Sequence, residues 1–113
     1  MKRGEVWVAN LNPGRGAGVG KIRPVVVMQS DRLTDAGLPT VLVIPLTTQL
    51  RPALEPVRVT IAARDRLEQD CHAMVEQLRA LDRRRLGEGP LTRLTAEEMR
   101  AIERSVIALL GMY

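Results

Sequence analysis

Short apolar runs separated by turn signals fill the first two-thirds of the chain. Glu5 to Leu11 carries Val6, Trp7 and Val8 and reads as a strand, stopped by Asn12-Pro13-Gly14. A glycine-rich stretch, Gly14 to Gly20, follows. Arg23 to Gln29 contains the run Val25-Val26-Val27-Met28, which predicts a strand buried on both faces. Asp31 to Pro39 reads as a loop, Val41 to Thr47 as a third, almost wholly apolar strand, and Pro52 and Pro56 bound another loop. Val57, Val59 and Ile61 alternate with Arg58 and Thr60, the pattern of a half-buried strand. Cys71 to Leu86 is ambiguous. Met74, Leu78 and Leu81 fall at helical spacing, whereas the short strands around them argue for a β-barrel. The last segment reads as one helix, roughly Ala96 to Leu110. Thr95 and Glu98 form a capping box, Met99, Ile102, Val106 and Leu109 repeat at helical spacing, and Gly111 supplies the stop. The pattern as a whole predicts one domain over residues 1–113: a small barrel with an amphipathic helix packed on it.

Composition narrows the chemistry. Of 113 residues, 45% are hydrophobic, which supports a packed core; there is no Phe, and Trp7 and Tyr113 are the only large aromatics, so that core is aliphatic. So few aromatics also argue against a base-stacking platform. Seventeen Lys and Arg against thirteen Asp and Glu leave a formal charge of +4. A basic surface of this size fits a polyanion, nucleic acid first, or simply a solvated face, and charge alone does not choose between them. One cysteine, Cys71, excludes an intrachain disulfide and is too few for a zinc-thiolate site, which suggests a reducing compartment. No apolar stretch has signal-peptide character or transmembrane length, so the expected setting is soluble and cytoplasmic, with no membrane partner.

Four stretches together resemble the MazF/PemK toxin family: Gly4-Glu5-Val6-Trp7-Val8-Ala9-Asn10-Leu11, Arg23-Pro24-Val25-Val26-Val27, Pro45-Leu46-Thr47-Thr48-Gln49, and Glu76-Gln77-Leu78-Arg79-Ala80-Leu81-Asp82. Each is weak alone, but their order and spacing span nearly the whole chain. The resemblance implies an SH3-like β-barrel with a C-terminal helix, usually a homodimer, in which Glu76 to Asp82 is largely strand. It also implies metal-independent, sequence-specific cleavage of single-stranded RNA, no cofactor, and restraint by a cognate MazE-like antitoxin. One position departs from the family pattern: where relatives commonly carry an acid shortly before the Arg-Pro pair, this chain has Gly18.

Cleavage of RNA without a metal uses the 2′-hydroxyl as nucleophile, so charge building on the phosphate must be stabilised. Arg23 suits that role, because a guanidinium stays charged and holds two phosphate oxygens at once, although it is a poor base. Thr47 ends an apolar strand, where an exposed hydroxyl would touch phosphate or the 2′-hydroxyl; Thr48 would face the other way. Either could equally be an ordinary strand residue; it is the resemblance that picks Arg23 and Thr47 as the candidate catalytic residues. Candidate RNA-binding residues are Arg15 and Lys21 in the glycine-rich stretch, Gln49 and Arg51 after the third strand, and Gln77 and Arg79, which would share a strand face. His72 is a lone histidine, more often structural than catalytic. The run Arg83-Arg84-Arg85 reads as a solvated face. A gyrase-poisoning toxin similar to CcdB, and an RNA-binding barrel that has lost catalysis, are the alternatives.

Overall fold

A computed structural model describes residues 1–13, 16, 18 and 20–113. Within them, seven strands form one bent sheet: β1 (Glu5–Asn10), β2 (Ile22–Val27), β3 (Thr40–Thr47), β4 (Val59–Ile61), β5 (Cys71–Ala73), β6 (Arg79–Asp82) and β7 (Leu86–Arg93). A short helix, α1 (Asp31–Asp35), occupies part of the segment expected to be loop, and a long one, α2 (Ala96–Leu109), ends the chain. The strands run in the order β4-β5-β3-β2-β1-β7. One edge of β3 is shared, because its first half pairs with β6 and its last two residues with β5. A mainly β half-barrel carrying a C-terminal helix is the SH3-like architecture expected.

The alternation within β2 explains how the sheet is buried on both sides. Val25 and Val27 join Ala9, Leu11, Val41, Val43 and Leu81 in one apolar cluster. Val26 faces the opposite way, into a larger cluster with Val6, Ile44, Leu46 and Ile61, which Met99 and Ile102 of α2 close. Helix α2 starts where the sequence places it. Glu98 N–H donates to Thr95 Oγ1, and Thr95 N–H donates to Glu98 Oε1. At the other end Gly111 adopts φ 70°, and Met112 N–H reaches back to Ile107 O, a Schellman stop. The expected apolar stripe shortens, however: Met99 and Ile102 are buried, whereas Leu109 is exposed.

Cys71 to Leu86 is not a helix. Strand β5, a 3-10 turn at Val75–Gln77 and strand β6 follow one another, so Glu76 to Asp82 is strand only from Arg79 onward. The turn shifts the phase of the strand alternation between Met74 and Leu81. That shift mimics a helical period while sending Leu78 to the α2 cluster and Leu81 to the other one. Strand β7, with its Gly87-Glu88-Gly89-Pro90, lacks an apolar pattern and is held by β1 instead. The register shifts between Val6 and Val8, where Trp7 lies. A Cβ at Gly89 would stand well inside van der Waals contact of Trp7 Cδ2, Cε3 and Cγ. Gly89→Ala is therefore expected to cost about 1–3 kcal/mol of stability through overpacking. The loss should read as a lower urea midpoint at unchanged slope; an unchanged midpoint would mean the indole moves aside freely.

Two carboxylates brace the frame. Glu5 accepts hydrogen bonds from Lys2 N at 2.6 Å, Trp7 Nε1 at 3.1 Å and an Arg93 amino group at 3.0 Å. Glu98 accepts two from Arg64, besides its place in the capping box. Burial pushes both carboxyls up, but the donated hydrogen bonds outweigh it and hold each below the usual value. Since the folded-state pKa lies below the unfolded one, this stabilisation is complete above about pH 5 and is lost as pH falls through the lowered values. Urea midpoints measured across this range should decline with acid, and less steeply for Glu98→Gln; parallel declines would remove Glu98 from the explanation.

Candidate functional site

Strand pairing places the expected catalytic pair. Arg23 sits opposite Ala9 on β1. The β2–β3 ladder pairs Val25 with Pro45 and Val27 with Val43. Counted two residues further, the same register sets Arg23 against Thr47, and both lie on the face of Val25 and Pro45. Pro24 and Thr48 point to the opposite face, where both line a shallow cleft with Leu67, Cys71 and Leu91. Thr47, not Thr48, is thus the hydroxyl on the side of Arg23.

The surroundings of the pair favour an anion. Arg23 Nε donates to Gly20 O at 3.2 Å, which steadies the guanidinium by one corner and leaves its two terminal amino groups for a ligand. Among the described residues it has no carboxylate partner. Thr47 differs from expectation in being buried, at 7% exposure. Its Oγ1 accepts Gln49 N–H at 3.2 Å, so the hydroxyl proton remains to be donated. Burial follows from β5, which pairs Thr47 with His72.

Gln49 and Arg51 are exposed just past β3, and an Arg51 amino group lies 3.4 Å from Gln49 Oε1. What fixes this loop is His72, buried at 1% exposure. Its Nδ1 accepts Arg51 N–H at 3.2 Å, so that nitrogen carries no proton and Nε2–H donates to Glu55 Oε1, also at 3.2 Å. Thr60 Oγ1 donates to the same oxygen at 3.0 Å. His72 is a strut that holds the loop behind Thr47. Sequence reading weighed it as a lone histidine, and no local pattern shows that Glu55 and Thr60 meet it.

The remaining expected residues divide. Arg79, paired with Val43, is on the same sheet face as Arg23 and Thr47, about 13 Å further along by strand rise. Gln77 lies in the 3-10 turn before it, so the two do not share a strand face as expected. Both nevertheless line one cleft of about 250 Å³, together with Glu76, Leu78 and Gly18. The glycine that replaces an acid therefore faces the Glu-Gln-x-Arg segment. The Glu76 carboxylate there is held by Arg58, at 2.6 Å. Lys21 is exposed, with φ 61°, at the base of the β1–β2 connection. Arg15 lies outside the described residues. No cluster of three His, Cys, Asp or Glu placed to hold a metal occurs among the described residues, and no helix there is long and apolar enough to cross a membrane.

A bent sheet closed by one C-terminal helix, with an arginine and a threonine at the ends of adjoining strands, defines a small SH3-like barrel. The sequence profile of the PemK-like, MazF-like toxins of type II toxin–antitoxin systems matches residues 2–110, and the chain belongs to that family. It is 36% identical to the endoribonuclease MazF of Staphylococcus saprophyticus, over all of this chain and 93% of that protein. In fold it is similar to MazF from Deinococcus radiodurans, with a TM-score of 0.84 at 21% identity over 99% of this chain and 97% of that one. It is also similar to a MazE–MazF structure from the same organism, with a TM-score of 0.77 at 21% identity over 100% and 97% of the two chains.

Proposed function

We propose that this chain cleaves single-stranded RNA at specific sequences, without a metal, as the toxin of a type II toxin–antitoxin pair. The observation that carries the reading is Arg23, steadied through Nε, without a carboxylate partner among the described residues, and opposite Thr47 when the β2–β3 register is continued two residues past Val25 and Pro45. In the proposed step the 2′-hydroxyl oxygen attacks the adjacent phosphorus and the P–O5′ bond breaks. The products are a 2′,3′-cyclic phosphate and a 5′-hydroxyl, the attacking oxygen losing its proton and the departing one gaining one. Arg23 neutralises the charge that builds on the two non-bridging oxygens, and the Thr47 hydroxyl donates a hydrogen bond to one of them. Gln49, Arg51, Gln77, Arg79, Lys21 and Arg15 bind the flanking RNA. Named activity in the 36% identical relative supports the same reading.

The toxin acts as one domain, in the cytoplasm, as a homodimer restrained by a MazE-like antitoxin. The MazE–MazF complex among its structural neighbours supports the antitoxin. Exposed Leu42 and Ile107 line a cleft with Met28, Leu78 and Val106, which gives a second copy an apolar face to cover. Incubation of purified protein with mixed-sequence single-stranded RNA in EDTA tests the activity. Discrete cuts at a short sequence are expected. No cutting by folded protein, together with DNA gyrase poisoning, would support the CcdB-like reading instead. Binding without cutting would indicate that Gly18 marks a barrel without catalysis.

A further inference from the structure

The run Arg83-Arg84-Arg85, read from sequence as a solvated face, takes part in a built corner. Strand β7 begins at Leu86, which pairs with Ala9, which in turn pairs with Arg23. Leu86 therefore stands two strand spacings, about 10 Å, from Arg23 along one row of the sheet. Just before it, an Arg85 amino group donates to the carbonyls of both Asn10 and Asn12, at 3.1 and 2.5 Å. Asn10 and Asn12 join Asp82, Arg84 and Arg85 in lining a polar cleft of about 580 Å³.

The hydrogen bonds of this corner leave it rich in donors. Asn10 Oδ1 accepts Asn12 N–H at 3.0 Å, and Asn12 Oδ1 accepts Lys21 N–H at 2.6 Å. Each amide oxygen is thus engaged by a backbone N–H, and each amide keeps an NH2 to donate. Among the described residues neither NH2 meets an acceptor, and Arg85 keeps its Nε and second amino group uncommitted. Asp82 is the one acid of the cleft. The Arg84 side chain and backbone N–H grip its carboxylate, holding its pKa at about 2, so its charge is matched and Arg85 remains in excess. A nucleobase edge usually mixes donors and acceptors, whereas a phosphate offers acceptors alone, and donors with a surplus cation suit the phosphate.

We propose that Asn10, Asn12 and Arg85 form a second phosphate-binding subsite, which takes the backbone of the same RNA strand away from the cleaved linkage. The inference rests on the RNA-cleaving reading and adds to it a fixed direction for the strand across β1, from Arg23 toward β7. It also gives the asparagines at the start of the β1–β2 connection a role beyond turn formation.

Binding of an uncleavable RNA, with one 2′-deoxynucleotide at the cut position, tests the subsite by fluorescence anisotropy. The same RNA shortened on either side of the cut serves for comparison. Arg85→Ala should weaken binding several-fold and flatten the dependence of log affinity on log salt by about 0.7, the contribution of one phosphate on a single strand. Asn12→Asp keeps the oxygen that holds Lys21 N–H and replaces the NH2 with a charged oxygen, so it too should weaken binding. It decides the matter if Arg85→Ala fails to fold. For both variants the loss should vanish once the RNA is shortened on one particular side. Equal losses on every length would mean a general charge effect, and no loss would leave the corner without a ligand; either overturns the subsite. Wild-type protein that cuts RNA while the variants bind normally would reject the subsite alone, whereas wild-type protein that neither cuts nor binds RNA would reject the activity itself.

Discussion

Replacing Arg23 with alanine should lower RNA cleavage by about 100–1,000-fold, the usual effect of deleting one preorganised donor to transition-state charge. Fold and RNA length preference should persist, because Arg23 belongs to the ladder through its backbone and its side chain is only half buried. Arg23→Lys should restore little. An ammonium keeps the charge, but it cannot donate to Gly20 O and still present two parallel donors to a phosphate. Thr47→Val, which keeps β-branching in a buried position and removes only the hydroxyl, should lower the rate with a smaller effect than the arginine substitutions. Single-turnover rates at saturating RNA separate these losses from weakened binding. A folded Arg23→Ala protein that cuts at the wild-type rate would place the chemistry elsewhere.

Ile102→Ala should be the most destabilising of the conservative changes considered, by about 2–5 kcal/mol. Ile102 has no exposed surface and joins α2 to Val6, Val26 and Ile44 of the sheet, so truncation opens a cavity where helix and sheet meet. For a chain of this size the loss corresponds to a fall in Tm on the order of 10–20 °C. Calorimetry of the two proteins reads it directly. A shift of only a few degrees would mean that the sheet closes onto the helix and refills the space.

The features legible from sequence were those written locally. The capping box at Thr95 and Glu98, the Gly111 stop and the doubly buried valines of β2 each depend on neighbours within a few residues. Cys71 to Leu86 misled because a 3-10 turn shifts strand phase and imitates a helical period. Strand β7 stayed hidden because Gly87, Gly89 and Pro90 have no apolar alternation; β1 pairing and the space beneath Trp7 hold it. At the site, residue types pointed to Arg23 and Thr47, but their opposition is a property of register. The exposed hydroxyl expected of Thr47 is instead covered by β5, and the hold of His72 on the Arg51 loop joins residues far apart in the chain. Asn10 read as part of a strand, Asn12 as part of a turn and Arg85 as a solvated residue; the hydrogen bonds from Arg85 to the two asparagine carbonyls bring them together.

The central claim is that this barrel cuts RNA through the RNA's own 2′-hydroxyl. Its most direct test pairs two RNAs identical except for a single 2′-deoxynucleotide on the 5′ side of a mapped cut. Both are incubated with purified protein in EDTA, and the product ends are identified by mass. The all-ribose RNA should yield a 2′,3′-cyclic phosphate, or the 3′-phosphate from its hydrolysis, with a 5′-hydroxyl on the other fragment, and the substituted RNA should stay intact at that position. Equal cutting of both RNAs would contradict the account, since the attacking oxygen would then have to come from somewhere other than the substrate.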